Sequence, residues 1–198
     1  MLNTNRYSRS IAIDYLKNKF RDENVKVVYV YFDYKSQQDQ TAFHTSGNLL
    51  KQLISQSQSK IPQDLETLYS KHIRTDTKPD QSTLNRLLAS LSQEFFSIYV
   101  VFDALDECLD ECSFSHKQEV LELFSHLQNS RYRLLISFRP CLREQHLSDR
   151  LAGATRFEIR ANESDLTNYI TKRLMEEENK SVQLTDGCLK LVEAAQGM

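Results

Sequence analysis

Five consecutive apolar residues, Ile98 to Phe102, run straight into an acidic cluster made of Asp103, Asp106 and Glu107. An apolar run without polar alternation is the pattern of a strand covered on both faces, as in a parallel sheet. It carries its carboxylates to the strand's C-terminal end, the edge at which open α/β sheets bind ligands. A phosphate-bound Mg²⁺ needs a fixed oxygen ligand there, and hydrolysis needs a second carboxylate to position water. Carboxylates alone favour a plainer reading, a buried strand entering a solvated acidic turn. The whole string Phe102-Asp103-Ala104-Leu105-Asp106-Glu107-Cys108 shifts the balance towards a nucleotide site.

The rest of the chain alternates between helix-like and strand-like apolar spacing. Ala12, Leu16 and Phe20 recur every fourth residue, one face of a helix. Val25 to Phe32 is rich in β-branched and aromatic residues and predicts a strand. Leu49, Leu50, Leu53 and Ile54 mark a helix. Pro62 opens another, with Leu65, Leu68, Tyr69 and His72 on one side. Residues 74–81 predict a polar loop, as do Gln37 to Gln40. Leu84, Leu87, Leu88 and Leu91 form a further helical stripe. Past the acidic cluster, Asp110 to His116 predicts a loop, and Val120, Leu123, Phe124 and Leu127 a helix. Arg131 to Phe138 and Thr155 to Ile159 predict strands. Asn162 with Asp165 resembles a capping box and opens a helix that runs to about Lys180. Strands separated by helices imply right-handed crossovers and a parallel sheet.

At 198 residues the chain is long enough for one domain with a substantial core. A net charge of −2 supplies no basic field for nucleic acid and no polybasic membrane surface. No apolar stretch approaches the length of a membrane span, and the N-terminus has no hydrophobic signal region. The expectation is a cytoplasmic protein with neither nucleic acid nor membrane as partner. The four cysteines, Cys108, Cys112, Cys141 and Cys188, do not make a disulfide framework in a chain of this size. Cys108, Cys112 and His116 invite a zinc reading, but the spacing is not that of a zinc finger and no fourth ligand is evident. Free thiols beside a loop are the simpler account. No serine or cysteine has the context of a nucleophile elbow.

The string from Phe102 to Cys108 resembles the Walker B segment of NACHT-type NTPases, within the STAND class of P-loop switch ATPases. The version resembled is the fungal, nephrocystin-3-like N-terminal domain. Other segments follow in the same order. Ser10 to Leu16 resembles the helix after the P-loop, and Val28 to Lys35 the next strand and its exit loop. Leu134 to Pro140 resembles the sensor strand ending in Arg139. Phe157 to Ile159 and Asn162 to Ile170 resemble the last strand and the entry to a small helical domain. The fold implied is an α/β three-layer P-loop NTPase sandwich with a mainly parallel sheet. Its core covers residues 1–161, and 162–198 begins the following helical domain.

By the same resemblance, Asp103 is the metal residue for Mg²⁺. Asp106 and Glu107 are the downstream acidic pair, one of which orients water. Arg139 is the sensor that contacts a γ-phosphate. The alternative for Arg139 is a structural ion pair to Asp106 and Glu107. The first strand and the Walker A motif G-x-x-x-x-G-K-[ST] are missing, for no glycine occurs before Gly47. The resemblance aligns Asn5 and Arg6 with the phosphate-binding lysine and the metal-binding hydroxyl, and neither can do that work. No cofactor-binding residue is therefore assigned. The missing strand is expected to leave a gap between the Ile98–Asp103 and Thr155–Ile159 strands, which would weaken the isolated chain. The functional expectation is a fragment of a STAND/NACHT signal-transduction NTPase that does not hydrolyse ATP by itself. Mg²⁺ and ATP or ADP are the cofactors of intact relatives. Their partners are other NACHT domains in an oligomer, together with repeat and effector domains not seen in this chain. Two alternatives stand beside it, a non-hydrolysing protein-interaction domain and a metal-dependent α/β enzyme built on the Asp103, Asp106 and Glu107 cluster.

Overall fold

The computed structural model describes residues 11–21, 23–57, 63–109 and 114–139, together with 151, 153–159 and six positions between 164 and 172. Chain order is α1 (Ile11–Lys19), β1 (Val25–Tyr31), a kinked 3-10 segment (Tyr34–Asp39), α2 (Ala42–Gln56), α3 (Gln63–Thr75), α4 (Gln81–Ser92), β2 (Ser97–Asp103), α5 (Leu105–Leu109), α6 (Phe114–Gln128) and β3 (Tyr132–Ile136). The three strands form one sheet in the order β1-β2-β3, and both pairings are parallel. This is the α/β class that the buried apolar run demands. The register sets Tyr31 opposite Asp103 and Phe102 opposite Ile136, so the three C-terminal ends share one edge.

Local chemistry explains the helix boundaries. The Thr41 hydroxyl accepts the His44 amide and opens α2. The Asp80 carboxylate does the same for α4, accepting the Thr83 amide at 2.7 Å. It also accepts the Ser82 hydroxyl at 3.0 Å. The side-chain and backbone hydrogen bonds of Thr83 come first among the contacts that hold the Asp80 carboxyl below its ordinary value.

Alternation along the strands builds two separate cores. Val28, Val30, Phe32, Ile98, Val100 and Phe102 point to one side and pack with the apolar faces of α2, α4 and α6. Phe102 is fully buried, its ring 6.2 Å from that of Phe32 and 4.6 Å from that of Phe124. The Tyr132 hydroxyl, on the same side, donates to the Leu88 carbonyl at 2.8 Å, and burial pushes its pKa up. On the other face Ile13 of α1 meets Val27 and Val101. Helices therefore cover both faces of the sheet, as a layered α/β architecture requires.

Three expectations are corrected. The sequence placed a gap beside the Ile98–Asp103 strand, but β2 is the central strand and is paired on both sides. Both of its edges are taken, so no gap lies beside it. Thr155 to Ile159 is not a strand, although the alternation is there. Phe157 and Ile159 are 81% and 93% exposed, and a β pattern without a neighbouring ladder has nothing to hold it extended. Finally, α5 and the 3-10 segment occupy stretches predicted as turn and loop, and α6 starts at Phe114, inside the expected acidic loop.

The chain divides into two compact units, Met1–Ala152 and Gly153–Met198. The three strands and six helices named above belong to the first. In the second, positions 164, 165, 167–169 and 172 are helical, inside the helix predicted to begin at Asn162. Asn162 itself lies outside the described residues, as do Asn5, Arg6, Cys112, Cys141 and Cys188.

Candidate functional site

Three chain segments meet at the C-terminal edge of the sheet: the exit of β1, the turn from β2 into α5, and the exit of β3. Backbone hydrogen bonds carry the sheet past its last paired residues. Phe32 donates to the Asp103 carbonyl at 3.0 Å, Ser137 to the Phe102 carbonyl at 2.9 Å, and Leu105 to the Ser137 carbonyl at 3.0 Å. The chain then turns sharply at Ala104, which has φ of 57°, a left-handed conformation that costs a non-glycine residue about 1–2 kcal/mol. That turn swings Asp106 and Glu107 back over the strand ends. The buried Leu105 and Cys108 anchor α5 beneath them.

Each acidic residue has a different partner. Asp103 accepts the Ser137 hydroxyl, and that hydroxyl in turn accepts the Ala104 amide at 3.0 Å. Asp106 is buried, its side chain 4% exposed, and Arg139 engages both its oxygens. The Arg139 amide donates to Oδ1 at 3.1 Å and the guanidinium Nε to Oδ2 at 2.7 Å. Glu107 reaches both ways, with Oε1 at 3.6 Å from the Arg139 guanidinium and Oε2 accepting the Tyr34 amide at 3.4 Å. The four candidate residues are thus together on one edge, as expected. Arg139 is held by the acidic pair, which was the structural alternative weighed for it.

Ser137, Ala104 and the Tyr34 amide were not singled out as parts of this network. The signal for Ser137 was its place directly after a strand expected to run parallel to that of Asp103. For Tyr34, read as ordinary loop, the contact is through the backbone, and side-chain identity carried no signal. Cys108 is buried with its sulfur 3.6 Å from the Gln40 carbonyl.

Sequence comparison places this edge in a known family. The family described as nephrocystin 3, N-terminal, matches residues 8–139, well over half of the chain. The chain belongs to this family. The nephrocystin-3-type match ends at Arg139, so the strand ends and the acidic turn all fall inside it. No curated protein matches the sequence. Among solved structures, C. elegans PCH-2 is similar at 12% identity with a TM-score of 0.35, covering 94% of this chain. This chain spans about half the length of that one, 55%.

The donor set decides what this nephrocystin-3-type edge can hold. Among the described residues, no three His, Cys, Asp or Glu side chains are gathered closely enough to hold a metal ion. One Asp103 oxygen takes the Ser137 hydroxyl and both Asp106 oxygens take Arg139. The sequence has no glycine-rich loop with a lysine to cradle a triphosphate. No helix among the described residues is long and apolar enough to cross a membrane.

Proposed function

We propose that this chain is part of a nephrocystin-3-type domain of NACHT/STAND descent that serves signalling as a non-hydrolysing structural module. The observation that carries the proposal is the Arg139–Asp106 pair. In a switch NTPase a sensor arginine is committed to phosphate. Here the guanidinium and the Arg139 amide are committed to a buried carboxylate on the neighbouring turn. The edge is tied together by the chain's own side chains. Mg²⁺ with ATP or ADP, and assembly with other NACHT domains, belong in this reading to relatives with an intact Walker A motif. In this reading Asp103, the Asp106–Glu107 pair and Arg139 stand where the resemblance puts the metal, water-orienting and sensor groups but do not perform their work. A cytoplasmic location belongs to the same reading.

The test is direct. Purified chain with Mg²⁺ and ATP is expected to release no phosphate above a protein-free blank. Asp103→Asn and Glu107→Gln are expected to change nothing. Turnover that disappears in either variant would overturn the proposal and restore the metal-dependent enzyme reading.

A further inference from the structure

The outer edge of β1 is bonded by side chains of α2. Tyr29 presents its amide and carbonyl away from β2, and the Gln52 side-chain amide meets both. Tyr29 N–H donates to Gln52 Oε1 at 3.0 Å, and Gln52 Nε2 donates to the Tyr29 carbonyl at 2.7 Å. This is the reciprocal pairing that a neighbouring strand's peptide group would make. One turn further along α2, Gln56 Nε2 donates to the Val27 carbonyl at 3.2 Å. One turn back, Asn48 Oδ1 accepts Gln52 Nε2 at 2.9 Å and orients the amide.

The spacing makes this possible. Four residues of α-helix rise about 6.0 Å. Two residues of strand rise about 6.6 Å. A helix running antiparallel beside a strand can therefore set side chains at i and i+4 opposite strand residues j and j−2. Gln52 and Gln56 stand in that relation to Tyr29 and Val27. Glutamine is suited to the position because its amide carries both a donor and an acceptor. Leu49, Leu50 and Leu53 of the same helix are buried in the core, which fixes the helix at that distance.

We propose that Asn48, Gln52 and Gln56 act as a surrogate strand that closes the β1 edge against a second copy of this chain. The segment it guards, Val25-Lys26-Val27-Val28-Tyr29-Val30-Tyr31, has high β propensity, one charge and neither proline nor glycine. That composition is prone to edge-to-edge pairing with its own kind. The guard makes the edge a latent interaction surface whose fitting partner is the same segment of another molecule.

The experiment compares Gln52→Leu, which keeps bulk and removes both bonds to Tyr29, with Tyr132→Phe as a buried control away from the β1 edge. Circular dichroism establishes that both variants fold. Hydrogen exchange is then followed at the Tyr29 amide, and sedimentation velocity gives association over a concentration series against the parent chain. Gln52→Leu is expected to lose about tenfold in Tyr29 protection. It is expected to associate with rising concentration, while Tyr132→Phe behaves as the parent does. Unchanged Tyr29 protection would overturn the proposal, as would the absence of added association. Equal association by both variants would overturn it too, because it would trace the effect to general destabilisation.

Discussion

Arg139→Ala should weaken the first unit, and by an amount that separates a brace from a decorative surface ion pair. The substitution leaves the backbone amide on Asp106 Oδ1 and removes the 2.7 Å bond to Oδ2. The Asp106 side chain that loses it is 4% exposed, so water replaces the bond poorly, whereas the Arg139 side chain is 75% exposed and its bond is already weakened by solvent. Hydrogen bonds to charged groups contribute about 1.5–3 kcal/mol, and exposure of one partner argues for the lower end, roughly 1.5–2 kcal/mol. For a unit of this size that is a fall in Tm of about 3–8 °C. Glu107→Gln should cost no more than about 0.5 kcal/mol, because its contact with the guanidinium is 3.6 Å long and solvated. The Arg139→Ala and Asp106→Ala double variant should lose less than the sum of its parts, since removing both partners strands no buried charge. Urea unfolding followed by circular dichroism and by the fluorescence of the nine tyrosines, with no tryptophan to mask them, measures the parent, the single variants Arg139→Ala, Asp106→Ala and Glu107→Gln, and the double variant. If Arg139→Ala stays within 0.5 kcal/mol of the parent, or Glu107→Gln costs as much, the brace is not what holds this edge.

Ala104→Gly relieves the left-handed strain at the β2–α5 turn and is expected to be neutral or stabilising by up to about 1 kcal/mol in the same unfolding assay, against the usual loss for glycine. Asp80→Ala should destabilise through loss of the α4 cap. The folded-state pKa of Asp80 is lowered, so its stabilisation is full above the unfolded carboxyl value of about 3.9 and is lost as pH falls through the folded value. The gap in Tm between parent and variant should therefore stay constant from neutral pH to about pH 5 and narrow below it, and a gap that widens with acid would contradict the assignment.

How far the sequence could be read depended on whether a position answers to its own residues or to its neighbours. The central strand was legible because burial on two faces forces the unbroken apolar run Ile98–Phe102, while β1 and β3 were legible by their aliphatic and aromatic content although Lys26 and Arg133 interrupt them. The helical stripes were legible for the same reason, as Leu84, Leu87, Leu88 and Leu91 show by all being buried. Pairing partners were not. Which strand lies beside β2 is settled by the register of backbone groups, and no side chain of β2 announces β3 on its second edge. Thr155–Ile159 failed from the opposite side, since its alternation is that of a strand but a strand exists only with a partner. The short α5 was hidden because five residues are too few for a helical period to be seen.

The same distinction decides the acidic edge. Residue types at Asp103, Asp106, Glu107 and Arg139 describe a nucleotide switch and a self-sufficient ion-pair network equally well. The structure adds which oxygen each nitrogen takes. The Ala104 turn sets Asp106 against Arg139 on the exit of β3, and Glu107 extends the tie to the exit of β1. Three strand ends are joined through one five-residue helix.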